Sequence, residues 1–81
     1  MISCNDYDYI EIVCLYRYPV RLTLTTGQSM EGIARDTARN QDKQEVIKLD
    51  VDGVEHLVVL DEISLMDVLV ANPHFTQKRF I

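Results

Sequence analysis

At Pro19 the hydrophobic period of this chain changes, and that change limits the folds open to it. Before Pro19, Ile10, Val13 and Cys14 fall on one side of a helical wheel with Tyr7 beside them. After it, Val20, Leu22 and Leu24 alternate with Arg21, Thr23 and Thr25, the pattern of a half-buried strand. Proline cannot continue a helix, so the boundary is steric as well as periodic. The chain therefore reads as one N-terminal helix followed by a sheet.

The helix is expected over residues 5–17. Ile10, Ile12 and Val13 also suit a strand. The spacing and the acids clustered at one end decide for helix. Asn5 or Asp6 supplies a short side-chain acceptor for the first free N–H groups. Asp6 and Asp8 stand where the positive end of the helix dipole favours anions. Asp8, Glu11, Ile12 and Leu15 lie roughly opposite Ile10, Val13 and Cys14.

Short strands follow. The first starts at Val20, and Thr26-Gly27-Gln28 turns the chain. A second strand runs from about Ser29 to Arg35 with Gly32 inside it, where glycine marks a bend or bulge. Residues 37–44 are polar and read as a loop. Val46 to Val51 and Val54 to Leu60 flank Asp52-Gly53, a pair suited to a two-residue hairpin turn. Asp61-Glu62 interrupts, Ile63 to Val70 forms the fifth strand, and Asn72-Pro73 ends the sheet. Residues 72–81 read as a loosely held tail. Five short antiparallel strands escape exposed edges by closing on themselves, with the helix over one open side. The expected fold is mainly β: a single domain, 1–81, with a small Sm-like five-stranded antiparallel barrel over about 20–70. LTLTTGQSMEGIARD, with its turn glycine, a second glycine and Asp36, is compatible with the first Sm motif.

Eighty-one residues bury only about 60% of the unfolded surface, which leaves room for one small core. The net charge of -5 disfavours phosphate backbones and favours a basic partner. The bases between Arg17 and Lys43 alternate with Glu31, Asp36 and Asp42 and form no stripe. The acids from Glu45 to Asp67 read as solvated strand and loop charge. No secretory leader and no apolar run of about 20 residues is present, so a cytoplasmic location with reduced Cys4 and Cys14 is expected. His56 and His74 are isolated, and no nucleophile motif or phosphate-cradling loop occurs. No enzyme activity, cofactor or metal is expected.

One resemblance is more specific. Ile2-Ser3-Cys4-Asn5-Asp6-Tyr7-Asp8, with Glu11, the second cysteine at Cys14, a short linker into LTL and EHLVVLDEI further on, resembles the Rof (YaeO) family over residues 2–66. The resemblance implies a small bacterial antiterminator that binds the transcription termination factor Rho and inhibits it. It implies an Sm-like barrel with an N-terminal helix, and a mechanism that masks the primary RNA-binding site on Rho's N-terminal domain. Carried onto this chain, the partner-binding residues are Asp6, Tyr7, Asp8 and Glu11. Ile12 and Leu15 add apolar contact on the same side, and Arg39 and Asn40 form a second contact in the polar loop. Asp6 also suits a cap, and Tyr7 suits packing equally well. The linker YRYPV and the tail NPHFTQKRFI depart from the family pattern. The free chain is expected to be monomeric, to touch no nucleic acid directly and to avoid membranes. The competing reading is an Sm-like RNA-binding protein.

Overall fold

The computed structural model describes residues 2–81. Helix α1 (Cys4–Leu15) is followed by strands β1 (Pro19–Leu24), β2 (Ser29–Arg39), β3 (Glu45–Val51) and β4 (Val54–Val59). A single 3-10 turn (Leu60–Glu62) leads to β5 (Ile63–Val68), and β6 (Gln77–Arg79) closes the chain. The mainly β architecture with one N-terminal helix is the one expected.

The helix starts and stops earlier than residues 5–17. Ser3, in extended conformation, caps it: its Oγ accepts from the Asp6 N–H at 3.1 Å. Ser3 and Asp6 thus occupy the S-x-x-D spacing typical of a helix start. Asn5 and Asp6 lie inside the first turn, not ahead of it. At the other end Arg17 takes φ 53, and the N–H groups of Arg17 and Tyr18 bond to the carbonyls of Cys14 and Val13 at 3.2 and 2.9 Å. That is the double-bonded C-terminal stop in which glycine is usual. The helix ends at Leu15 for this reason, four positions before proline is reached.

All strand pairs are antiparallel, in the order β4-β3-β2-β1-β5-β6. Long β2 links the two halves: Ser29–Ile33 pair with β1 and Ile33–Arg39 with β3. It changes partners at a register shift between Ala34 and Asp36. Gly32, just before it, lets β3 approach: a Cβ there would stand 2.5 Å from the Asp50 carbonyl oxygen. The irregularity expected at Gly32 lies instead two residues on, between Ala34 and Asp36. Asp52 and Gly53 both take positive φ, 53 and 85, as a tight primed hairpin turn requires.

Three expectations are corrected. The sheet is open: β4 and β6 are its two edges, and among the described residues no pairing closes a barrel. Residues 37–44 are not all loop, because β2 runs on to Arg39 with Thr37 and Ala38 paired to Ile47 and Val46. Residues 72–81 are not a loose tail. Asn72 Oδ1 accepts from the N–H groups of His74 and Phe75, which turns the chain back, and Gln77–Arg79 then pair with β5. Phe75 and Phe80 supply the apolar anchorage by packing against the core.

The core lies between the inner sheet face and α1. Leu22, Leu49, Leu60, Ile63 and Met66 meet Ile10 and Val13 from the helix, all 2% exposed or less. Among the described residues no polar or charged side chain is buried. Ile10 and Val13 are the helix's buried anchors; truncating such a side chain to alanine typically costs about 2–5 kcal/mol. No described helix is long and apolar enough to cross a membrane.

Candidate protein-binding surface

The helix divides its side chains among three surroundings. Ile10 and Val13 face the core. A second flank meets the C-terminal segment: Lys78 Nζ lies 3.0 Å from Asp6 Oδ1 and 4.9 Å from the centre of the Tyr9 ring. Tyr9 also meets Phe75 edge-on at 4.9 Å, and Tyr16 stacks on His74 at 4.9 Å. The third flank carries Asp8, Glu11 and Leu15, all exposed, with Ile12 half-buried beside them. Leu15 is 73% exposed.

Asp8 stands on the crest between two hollows. One, of about 360 Å³, is lined by Ile2, Ser3, Cys4, Tyr7, Asp8, Glu11 and Glu45. The other, of about 610 Å³, is lined by Asn5, Asp8, Tyr9, Ile12 and residues 73–75. Half-buried Tyr7 lines the first hollow and donates its hydroxyl to Thr37 Oγ1 at 3.1 Å. Its side chain therefore packs the helix on β2 while one face borders the hollow. Apolar surface from Ile2 and Tyr7 and three carboxylates on one side make a place suited to a long basic side chain: the aliphatic stem on the apolar part, the charge among the oxygens.

The acids thus split. No ion pair reaches Asp8 or Glu11 from the described residues, whereas Asp6 is held by Lys78. Glu45, which had read as part of a solvated cluster, joins the hollow because the β2–β3 pairing brings the start of β3 to the helix. No local signal marks it; only the register places it there. Arg39 pairs with Glu45 across those strands, 3.6 Å apart, and donates to the Lys43 carbonyl at 3.1 Å. Asn40 is spent on its own turn: Oδ1 accepts from the N–H groups of Asp42 and Gln44 at 2.9 and 3.0 Å, and Nδ2 donates to Gln44 Oε1. Arg39 therefore adjoins the hollow, and Asn40 shapes the loop behind it.

Elsewhere the charges are structural. Asp50 accepts from Arg35 Nη2 at 2.6 Å and from the Gly53 N–H at 2.8 Å, and both hold its carboxyl below the usual carboxylate range, Arg35 foremost. Cys14 lies against the sheet, where burial and then nearby Asp36 push its thiol up to about 11. Among the described residues no group of three or more His, Cys, Asp or Glu is placed to hold a metal ion.

A family model described as modulator of Rho-dependent transcription termination (ROF) matches residues 1–80. The chain belongs to this family. Its fold is similar to a solved structure titled YaeO bound to magnesium, from Vibrio cholerae O395. The two are 43% identical over 93% of this chain and 97% of that one, with a TM-score of 0.89. No curated protein matches the chain. The family is thus a regulatory one, of modulators of Rho-dependent transcription termination.

Proposed function

We infer that the chain inhibits Rho by covering the primary RNA-binding site of Rho's N-terminal domain with the exposed flank of α1. The observation that carries this reading is the division of the helix acids. Asp6 is neutralised within the fold, and Asp8 and Glu11 are left open beside a hollow to which Glu45 adds a third carboxylate. A site built for RNA phosphates offers arginine and lysine, and carboxylates on a helix end satisfy them with charge-assisted hydrogen bonds. Leu15 and Ile12 extend the contact with apolar area. Such a partner, engaged on nascent RNA, sets the chain's work in the cytoplasm.

The pairing of the bases speaks against direct RNA binding. Arg21 is tied to Glu31 at 2.9 Å, Arg35 to Asp50 at 2.6 Å and Arg39 to Glu45 at 3.6 Å. The stretch from Arg17 to Lys43, which carries most of the bases, is largely self-neutralised, which leaves little for a phosphate backbone.

The test is competition. Rho is titrated with the chain in the presence of increasing single-stranded RNA, and bound chain is followed by fluorescence anisotropy. The apparent affinity should fall in proportion to RNA. A stable ternary complex with undiminished affinity would place the contact away from the RNA site.

A further inference from the structure

We propose that the groove between α1 and residues 73–75 is a socket for one arginine side chain of the partner, beside the acidic hollow and distinct from it. The proposal rests on the reading that Rho meets the exposed flank of α1, and it adds a side-chain preference to that reading. Asn5, Asp8, Tyr9 and Ile12 form one wall, at the spacing of a single helix stripe. Pro73, His74 and Phe75 form the other. This second wall is built before any partner arrives. Asn72 Oδ1 accepts from the His74 and Phe75 N–H groups at 2.8 and 3.1 Å, and its Nδ2 donates to the Val70 and Phe75 carbonyls, both at 3.0 Å. His74 stacks on Tyr16 with 28° between the ring planes, and Tyr16 stacks on Tyr18 at 5.5 Å and 20°. Phe75 meets Tyr9 edge-on and joins the two walls.

Such a groove selects a cation that is also flat. Asp8 is its only carboxylate, and neither lysine nor arginine lines it. No described residue pairs with Asp8 or with the Asn5 amide, and the cation nearest the groove, Lys78 over the Tyr9 ring, is held by Asp6. Ring faces attract cations. A guanidinium is planar and weakly hydrated, so it lies on a ring while giving two N–H groups to one carboxylate. The Asn5 carbonyl is placed to accept a further one. A lysine ammonium is compact and strongly hydrated, and the groove has a single carboxylate to replace its water. The neighbouring hollow, with three carboxylates, suits it better. A nucleic-acid base would also stack on the rings, but it would bring phosphates against Asp8 on a chain of net charge -5. The hollows on either side of Asp8 thus read different features of a basic surface: charge in one, a flat cation in the other.

The experiment uses the full chain and intact Rho. Titration calorimetry measures the unaltered chain, His74→Ala and His74→Phe against Rho, and against Rho in which the arginines of the primary RNA-binding site are changed to lysine one at a time. His74→Ala should weaken binding about fivefold, and His74→Phe, which keeps a ring, should not. One arginine-to-lysine change in Rho should cost the unaltered chain about fivefold and cost His74→Ala nothing further, a coupling that loosened packing would not produce. Asp8→Asn should shrink the effect of His74→Ala, and Glu11→Gln, which lies outside the groove, should leave it intact. Circular dichroism checks that each variant is folded. If His74→Ala is not, Asn5→Leu replaces it: it removes the amide from an exposed position on the helix wall and should show the same loss and the same coupling. Unchanged affinity in Asp8→Asn with Glu11→Gln would remove the α1 reading and this proposal together. If that pair weakens binding but the groove variant does not, or its loss is cancelled by no arginine-to-lysine change, the arginine socket alone is overturned. Movement of the residue 73–75 signals in nitrogen-15 spectra of the free chain on adding single-stranded RNA would give the groove to a base and overturn it as well.

Discussion

Replacing Asp8 by Asn and Glu11 by Gln tests the binding face with the least disturbance to the fold. Both side chains keep their size, and neither has a partner within the described chain, so stability should change by no more than about 0.5 kcal/mol. The effect on Rho should be far larger. A hydrogen bond to a charged group is worth about 1.5–3 kcal/mol when its partner is left unsatisfied. Two such losses sum to about 3–6 kcal/mol, and because the residues are one helical turn apart and share a hollow, the lower half of that range is expected. At 1.4 kcal/mol per decade this is about a hundred-fold to thousand-fold loss of affinity. Isothermal titration against intact Rho reads it directly. The wild-type affinity should also fall as salt is raised, and the double variant's should respond less, since the screened charges are gone. Asp6→Asn supplies the internal contrast. It breaks a pair whose two side chains are each 25% exposed, worth about 1 kcal/mol, and should lower the melting temperature by several degrees while leaving affinity within about twofold. A folded Asp8→Asn, Glu11→Gln protein that binds Rho as tightly as the wild type would falsify the assignment of the binding face.

The remaining expectations concern the fold. Gly32→Ala should cost at least about 2 kcal/mol in urea unfolding, because its Cβ would collide with a backbone oxygen of β3 that cannot move alone. Arg17→Gly should raise stability by about 0.5–1 kcal/mol by relieving a left-handed residue at the helix stop, and a loss of stability would deny that φ 53 is strained there. At pH 8 iodoacetamide should label exposed Cys4 well ahead of Cys14, as peptide mapping would show. The raised Cys14 thiol also sets a sign: the unfolded chain ionises it at an ordinary value while the fold keeps it protonated, so stability should decline as pH rises from about 9 towards about 11. Cys14→Ser should remove that part of the decline.

Much of the sheet was readable because each strand of the central part carries its own local signal. Val20 and Leu22 alternate, Asp52-Gly53 admits only a narrow set of turns, and Gly32 lies close to the irregularity of β2. What escaped was set by partners distant in the chain. Phe75 and Phe80 lie five apart among polar residues, a spacing that matches neither a helix nor a strand face, so β6 carries no periodic signature. Its ladder is set by pairing with β5, ten or more positions earlier in the chain. The same holds for Thr37 and Ala38, which are too polar or small to announce a strand yet pair with β3, Thr37 also meeting the helix through Tyr7.

The candidate site follows the same division. Helical spacing alone separates Ile10 and Val13 from Asp8 and Glu11, because burial acts through the wheel. It gives no means of telling Asp6 from Asp8, since both are acids near a helix start. The distinction comes from Lys78, seventy-two positions after Asp6 in the chain. A helix start with several carboxylates repels itself, and the fold offsets this by setting one lysine from the last strand against one of them. The residue so neutralised is the one on the flank that the C-terminal segment covers, and the charge left over is confined to the flank it leaves open. β6 therefore determines where the negative face lies as well as extending the sheet beyond β5. This links two measurements: a variant that detaches β6, such as Lys78→Pro, should lower stability and also weaken Rho binding, because Tyr9 loses the Phe75 and Lys78 contacts that fix the helix, and Lys78→Arg, which keeps the cation, should do neither.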